Sequence, residues 1–316
     1  MGTMAEVKIV TSKNPDEAVA MAKRVVAEVE NELSAFSTNS VVGRLNASAG
    51  RSEMRWEDEL TSHAQVVFAL SDTAVQWSGG AFDPTVGPLM DLWGFRGKQK
   101  LDRIPTEEEI QATLQRVGWD KLERRKRREY ITNDLSIITG IKYWPEVRLA
   151  QEGMKLDFGA VAKGYAVDIA YGALMRRHCT NILVNLGGDM RGGGREWKVG
   201  IKDPYDSTGT KTLGTFILTD GRATATSGSY ERFVEIDGKR YSHIIDARTG
   251  YPVEGVDQVT VIANTAGEAD ALATTLFILG REEGMKLLEA TPGAEALFVE
   301  DGEIYASPAF PAIGDR

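Results

Sequence analysis

One cysteine, Cys179, is all the sequence holds, which excludes an internal disulfide and a cysteine metal cluster while leaving the redox compartment open. No apolar run approaches the ~20 residues of a membrane helix, and the opening MGTMAEVKIV lacks the apolar core of a signal peptide. The expectation is therefore either a cytosolic protein or a chain that starts after a removed export segment. A Pro/Ser linker, a low-complexity tract and a repeat of fixed period are all missing. Residues 1–316 are accordingly read as a single domain, or two intimate subdomains without a clear linker. A basic footprint is missing too: the net charge is −9, which argues against a nucleic-acid surface. The one basic run, Arg124, Arg125, Lys126, Arg127 and Arg128, reads as a solvated turn or strand edge rather than a phosphate patch. Neither GxxxxGK[ST] nor a GxGxxG after a strand is present, so the common nucleotide loops are absent.

What remains is an ordinary folded composition, 42% hydrophobic and 26% charged. MAEVKIV alternates as a first strand. Asn14 and Pro15 then supply an N-cap and a first-turn proline, with Val19, Ala22, Val26, Val29 and Leu33 at helical spacing. A second helix is expected from about Glu59 to Trp77. Short strands are expected at 182–190, 197–203, 215–220, 257–263 and 296–300, and helices near 106–116, 162–177 and 266–280. The irregular alternation predicts α+β, with mixed or antiparallel sheets and packed helices, rather than a doubly wound parallel sheet.

Five stretches carry candidate chemistry. In AGEADALATTLFILG (266–280), a helix built for burial carries Asp270 and Thr274 four apart, on one face about one turn from each other. A carboxylate and a hydroxyl are hard oxygens that suit Mg²⁺ rather than zinc; a helix-terminal Asp beside a back-bonding Thr would look the same. LDFGAVAKGYAVD (156–168) brackets Lys163 with glycines at a helix entrance, either an anion site or a structural helix start. NLGGDMRGGG (185–194) places two glycines after a strand, for close ligand approach or a hairpin. In 225–253, His243 precedes Asp246 by three residues, as a base with an orienting carboxylate or as a structural histidine; His63 and His178 are read as structural. GGAFDPTVGPLMDLWGF (79–95) could wall a pocket for a flat ligand, with its backbone and Asp83 as polar contacts, or serve as core-capping loop.

These stretches in this order resemble the ApbE family, the FAD:protein FMN transferases, from Met1 to about residue 305. The Met-Gly-Thr start, FST, SVVGRLN, GGAFDPTVGPL, LDFGAVAKGYAVD, NLGGD, ATSGSYER, HIIDARTGYPV and EADALATTLFILG carry the likeness. The resemblance implies a T-fold-related α+β architecture with an FAD cleft between subdomains and Mg²⁺ at the pyrophosphate. It implies metal ligation at Ala160 (backbone carbonyl), Asp270 and Thr274, with Ala273 also at the site. It implies FAD contacts from Met1, Ala81, Phe82, Asp83, Asp157, Lys163 and Ile245, and His243 as the base for the acceptor hydroxyl. The acceptor implied is a Thr or Ser of a partner flavoprotein subunit carrying a DGxTGAT-like motif, as in sodium-pumping Nqr-type or Rnf-type complexes. DGRATAT (220–226) resembles that motif only loosely, so self-modification is not expected. Relatives often place an aromatic ring about where this chain has Asn39. Its loss predicts a looser site and more FAD hydrolysis to FMN and AMP; a non-catalytic FAD-binding protein is the other alternative. Export and lipid anchoring at the cytoplasmic membrane are implied in the same way, with a cytosolic form as the alternative.

Overall fold

The computed structural model describes residues 4–10, 14–51, 62–96, 101–132, 138–206 and 208–314. In chain order, β1 (Ala5–Ile9) is followed by α1 (Pro15–Leu33), α2 (Val41–Ser48), α3 (Ser62–Trp77), the short α4 (Gly87–Leu92) and α5 (Glu107–Leu114). A long antiparallel ribbon, β2 (Leu122–Thr132) with β3 (Ile138–Leu149), precedes α6 (Ala162–Arg176). Strands then dominate: β4 (Ile182–Leu186), β5 (Asp189–Gly193), β6 (Trp197–Lys202), β7 (Thr212–Leu218), β8 (Ala223–Gly228), β9 (Phe233–Ile236), β10 (Lys239–Ser242), β11 (Ile245–Asp246), β12 (Tyr251–Pro252) and β13 (Gln258–Ala263). α7 (Ala266–Glu289), β14 (Glu295–Glu300) and β15 (Glu303–Ala306) complete the order.

The central sheet has seven strands in the order β1-β4-β5-β8-β13-β14-β15, with every neighbouring pair antiparallel. Side chains alternate between its faces. Ile182, Val184 and Leu186 of β4, Val259 and Val261 of β13, and Ala296 and Phe298 of β14 join the main core, in which α6 and α7 also bury their apolar faces. Leu183, Ile262, Leu297 and Val299 point the other way, into a second core closed by Trp197, Val199 and Ile201 of β6 and Phe216 and Leu218 of β7. The sheet is therefore covered on both sides, which explains why β13 is buried at all six positions. A third core, with Leu89, Trp93, Ile110, Tyr241 and Ile245, joins α4 and α5 to β10 and β11. The α+β expectation holds.

The basic run lies in β2 of the two-stranded β2–β3 ribbon, a strand edge as expected, where Arg124 pairs with Asp72 at 2.8 Å and sits over the Trp119 ring. Other elements depart from the sequence reading. Residues 59–61 of the expected second helix lie outside the described residues. Asn14 stands at the N-cap of α1 without a side-chain cap bond. The 79–95 stretch contains α4, entered at Pro88, because a proline in the first turn sacrifices no helical hydrogen bond. Helix α7 breaks where expected, at Gly280 with φ 73°, and then resumes to Glu289. Among the described residues no helix is long and apolar enough to cross a membrane.

Candidate active site

A close helix crossing builds the site. A Cβ on Gly164 of α6 would lie 2.0 Å from the Ala266 carbonyl oxygen and 2.7 Å from Asp270 Cβ, both of α7. Only a glycine permits this approach, and it carries Lys163 up to Asp270. Asp168, one turn further along α6, accepts the Ala266 and Gly267 N–H groups at 2.9 Å each and so caps α7 from outside. Arg191 holds Asp168 in turn, at 2.7 Å.

The buried carboxylate of α7 thus meets two donors, one of them a cation shared with a second carboxylate. Asp270 accepts from Lys163 Nζ at 2.9 Å and from the Gly164 N–H at 3.0 Å, and Lys163 reaches Asp189 at 2.7 Å. Asp189 and Asp270 side chains are 2% and 4% exposed, so without the ammonium they would be two unpaired buried charges. Burial works against the charge of Lys163, but the two carboxylates more than offset it and hold its pKa above the usual lysine range. Burial, and then the charge of Asp270, push the Asp189 carboxyl well above its ordinary value. One ammonium for two carboxylates leaves the cluster short of positive charge.

Asp189 was not singled out from the sequence, although its motif was. Gly187 and Gly188 form the two-residue turn between β4 and β5, with φ 62° and 105°. Positive φ at both central residues is what a type I′ hairpin requires. NLGGD is therefore a hairpin that delivers a carboxylate to Lys163.

The residues present fit a hard divalent cation. The Gly164 N–H, which would bond the Ala160 carbonyl in a continued helix, is taken by Asp270, and among the described residues none donates a hydrogen bond to the Ala160 oxygen. Ala160, Asp270 and Thr274 line one cleft of about 650 Å³, where Thr274 Oγ1 lies 3.1 Å from Ser227 Oγ. Among the described residues no three carboxylate, imidazole or thiol groups converge on a metal position. A cation here would draw on one carboxylate together with carbonyl and hydroxyl oxygens, the donor set of Mg²⁺ rather than Zn²⁺.

His243 lines the same cleft. Its Nδ1 lies 3.1 Å from the Arg232 carbonyl, which can only accept, so Nδ1 carries the proton and Nε2 keeps a free lone pair. Burial lowers its pKa to about 4, with the Arg232 and Lys163 charges acting in the same direction, so the ring is neutral at pH 7. Asp246 does not orient it. Its carboxylate is held by Arg248, at 2.7 Å from Nη2 and 3.0 Å from Nε, and by the Arg248 N–H. In extended chain, residues three apart face opposite sides.

Phe82, Asp83, Asp157, Lys163 and Ile245 line the cleft, whereas Ala81 and Ala273 are fully buried outside its lining. The Ala81 carbonyl is already occupied by the Ala247 N–H. The Asp83 carboxylate faces inward, bonding Thr85 and the Trp119 N–H at 2.7 Å each, with burial raising its pKa. Asp157 binds Arg96. Asn46, of the RLN segment, exchanges two hydrogen bonds with the Leu156 backbone and so fixes the LDFGA loop. Asn39 is not in the lining, and its carbonyl accepts from Arg44 at 2.7 Å. Phe36, of the same loop, is on the cleft wall. Met1 lies outside the described residues. His63, bonded to the Tyr165 hydroxyl, is structural as expected.

A family model described as the ApbE family matches residues 1–298. The FAD:protein FMN transferase of Treponema pallidum is 34% identical, covering 97% of this chain and 84% of its own length. That of Klebsiella pneumoniae is 33% identical over 92% and 85%. Among solved structures, the ApbE protein of Thermotoga maritima superposes with a TM-score of 0.81 at 32% identity, covering 98% of this chain and 95% of that one. The flavin transferase ApbE of Vibrio cholerae gives 0.79 at 29%, with the same coverage. With its carboxylate, hydroxyl and free carbonyl gathered in one cleft, and with matches that run nearly end to end, this chain belongs to the ApbE family.

Proposed function

We propose that the protein transfers FMN from FAD to a hydroxyl of a partner flavoprotein and releases AMP. Family membership supports the reaction class. The observation that carries it at the level of this chain is the pairing, in one cleft, of the Ala160, Asp270 and Thr274 oxygens with a neutral His243.

Ala160, Asp270 and Thr274 would hold Mg²⁺, which supplies charge neutralisation at the pyrophosphate. Lys163 keeps Asp270 aimed, through a contact that also satisfies Asp189. The Arg232 carbonyl fixes the His243 ring so that Nε2 can take the proton of an acceptor Thr or Ser. The acceptor oxygen forms a bond to the FMN-side phosphorus as the bond from that phosphorus to the bridging oxygen breaks, and AMP departs with that oxygen and its electron pair. Lys202 and Arg232, cations in the cleft lining, supply positive charge for the phosphates.

An acceptor of DGxTGAT type on an Nqr- or Rnf-type complex and a location on the outer face of the cytoplasmic membrane belong to the same proposal, on the strength of the sequence resemblance.

AMP release from FAD tests the site. With an acceptor protein present, release should require Mg²⁺, stop in EDTA, and be lost in Asp270→Ala. Metal-independent release, or a fully active Asp270→Ala, would contradict the assignment. AMP formed at the same rate with no acceptor and no modified product would make the protein a FAD pyrophosphatase instead.

A further inference from the structure

We propose that Phe95 is a positioning residue for His243: its ring packs against the imidazole from outside the cleft and, together with the Arg232 carbonyl, keeps Nε2 turned inward. This rests on His243 being the base of the proposed transfer. The two ring centroids are 6.5 Å apart and the planes cross at 73°, an edge contact within aromatic range. His243 lines the cleft and Phe95 does not; Phe95 packs instead against the third core, so it meets the imidazole from that side.

One hydrogen bond does not fix an imidazole. The Arg232 carbonyl lies 3.1 Å from His243 Nδ1 and accepts the His243 N–H at the same distance. A carbonyl oxygen accepts over a broad range of directions, so the ring can still tilt about that contact. A packed neighbour removes the tilt.

The sequence LWGF (92–95) builds that neighbour. Helix α4 ends at Leu92, and Gly94 follows at φ 72°. The Gly94 N–H bonds the Asp91 carbonyl at 3.1 Å, and the Phe95 N–H bonds the Met90 carbonyl at 2.9 Å. Such a glycine-terminated helix end turns the residue after the glycine back onto the last turn, and here it places Phe95 against the core that contains Leu89 and Met90. Trp93, fully buried, ties the helix end to the strand that leads into His243. Its Nε1 donates to the Gly250 carbonyl at 2.9 Å, and its ring lies 5.5 Å from that of Tyr241 in β10. Phe95 and His243 therefore stand on one packed unit.

Cover by Phe95 also bears on the charge of the base. Burial is the largest influence on the His243 pKa and lowers it. The bond to the Arg232 carbonyl acts against burial, the Arg232 and Lys163 charges act with it, and Asp157, which is paired with Arg96, acts against it. Stripping the cover lets water reach the ring and relaxes the largest of these influences, so the imidazolium becomes easier to form.

The test is an NMR titration of the full chain, which has only three histidines, with His243 assigned by His243→Gln, beside the pH dependence of FMN transfer. Wild-type His243 should titrate near pH 4. Phe95→Leu, Phe95→Val and Phe95→Ala strip the cover in steps, so the His243 pKa should climb in that order, by roughly one pH unit at alanine, with the acid limb of transfer moving alongside. Across the series kcat should fall by up to about tenfold while KM for FAD stays within about twofold. Any two folded variants decide the order. A His243 that titrates alike in all of them, an acid limb that stays in place, or a loss confined to KM would each overturn the proposal, because a merely structural role lowers the urea midpoint without moving the histidine. A His243→Gln protein that transfers FMN at the wild-type rate would overturn the base assignment itself.

Discussion

Replacing Gly164 by alanine adds one methyl group at the tightest point between α6 and α7. The new Cβ would stand 2.0 Å from the Ala266 carbonyl oxygen and 2.5 Å from its carbon, where ordinary contact begins at 3.4 Å. Those atoms are backbone and cannot rotate away, so the helices must part by about 1.4 Å at this point. Overpacking of this kind costs about 1–3 kcal/mol, here at the upper end, and alanine recovers ~1 kcal/mol of helix propensity. The expected net loss is about 2 kcal/mol, read as a lower urea midpoint. Function should fall further, because the displacement separates Lys163 and the Ala160 carbonyl from Asp270; misplacing reacting groups by ~1 Å costs on the order of 10²-fold in rate. Gly172→Ala on the same helix is the control. Its Cβ would meet only the end of the Arg176 side chain at 3.5 Å, so stability should hold or rise by up to ~1 kcal/mol. If Gly164→Ala melts and releases AMP like the wild type, the close crossing does not position the site.

His243→Ala should lower transfer by roughly 10²–10⁴-fold while FAD affinity, measured by fluorescence titration, stays within about threefold. Because the folded-state pKa of His243 is near 4, the acid limb of FMN transfer should fall near pH 4 to 5 rather than near 6.5. The unfolded chain takes up a proton on this ring between about pH 6.5 and 4 that the folded chain refuses, so stability should drop as pH falls through that window, and His243→Gln should flatten the slope. Asp246→Ala should change the transfer rate less than about threefold, since Asp246 serves Arg248 and its turn; a loss of 10²-fold would restore it as the orienting group. Lys163→Met should cost about 3–5 kcal/mol in urea unfolding, because it strands Asp189 and Asp270, and a small effect would mean that the two carboxylates find another partner.

Local spacing carried the parts of the site that a single element supplies. Asp270 and Thr274 could be read as one helix face because four residues make about one turn, and the glycine pair of NLGGD carried its hairpin through the φ values that turn demands. What spacing does not encode is which helix face meets which. Lys163 and Asp270 are 107 positions apart, and only the Gly164 crossing brings them together. His243 and Asp246 show the opposite failure, since proximity in sequence suggested a pair that extended backbone separates. The group that does orient His243 is the Arg232 carbonyl, a main-chain atom that no side-chain pattern reveals. The Ala160 oxygen was reached only through family resemblance, and its freedom follows from a hydrogen bond that Asp270 diverts.

The most direct measurement is the intact mass of an acceptor flavoprotein domain bearing a DGxTGAT segment, incubated with this protein, FAD and Mg²⁺, beside the same domain with its acceptor threonine replaced by alanine. The account predicts a gain of one FMN per acceptor, matched by an equal amount of AMP, with no gain in the alanine variant or in EDTA. AMP without any acceptor gain, or an acceptor that gains intact FAD, would contradict it.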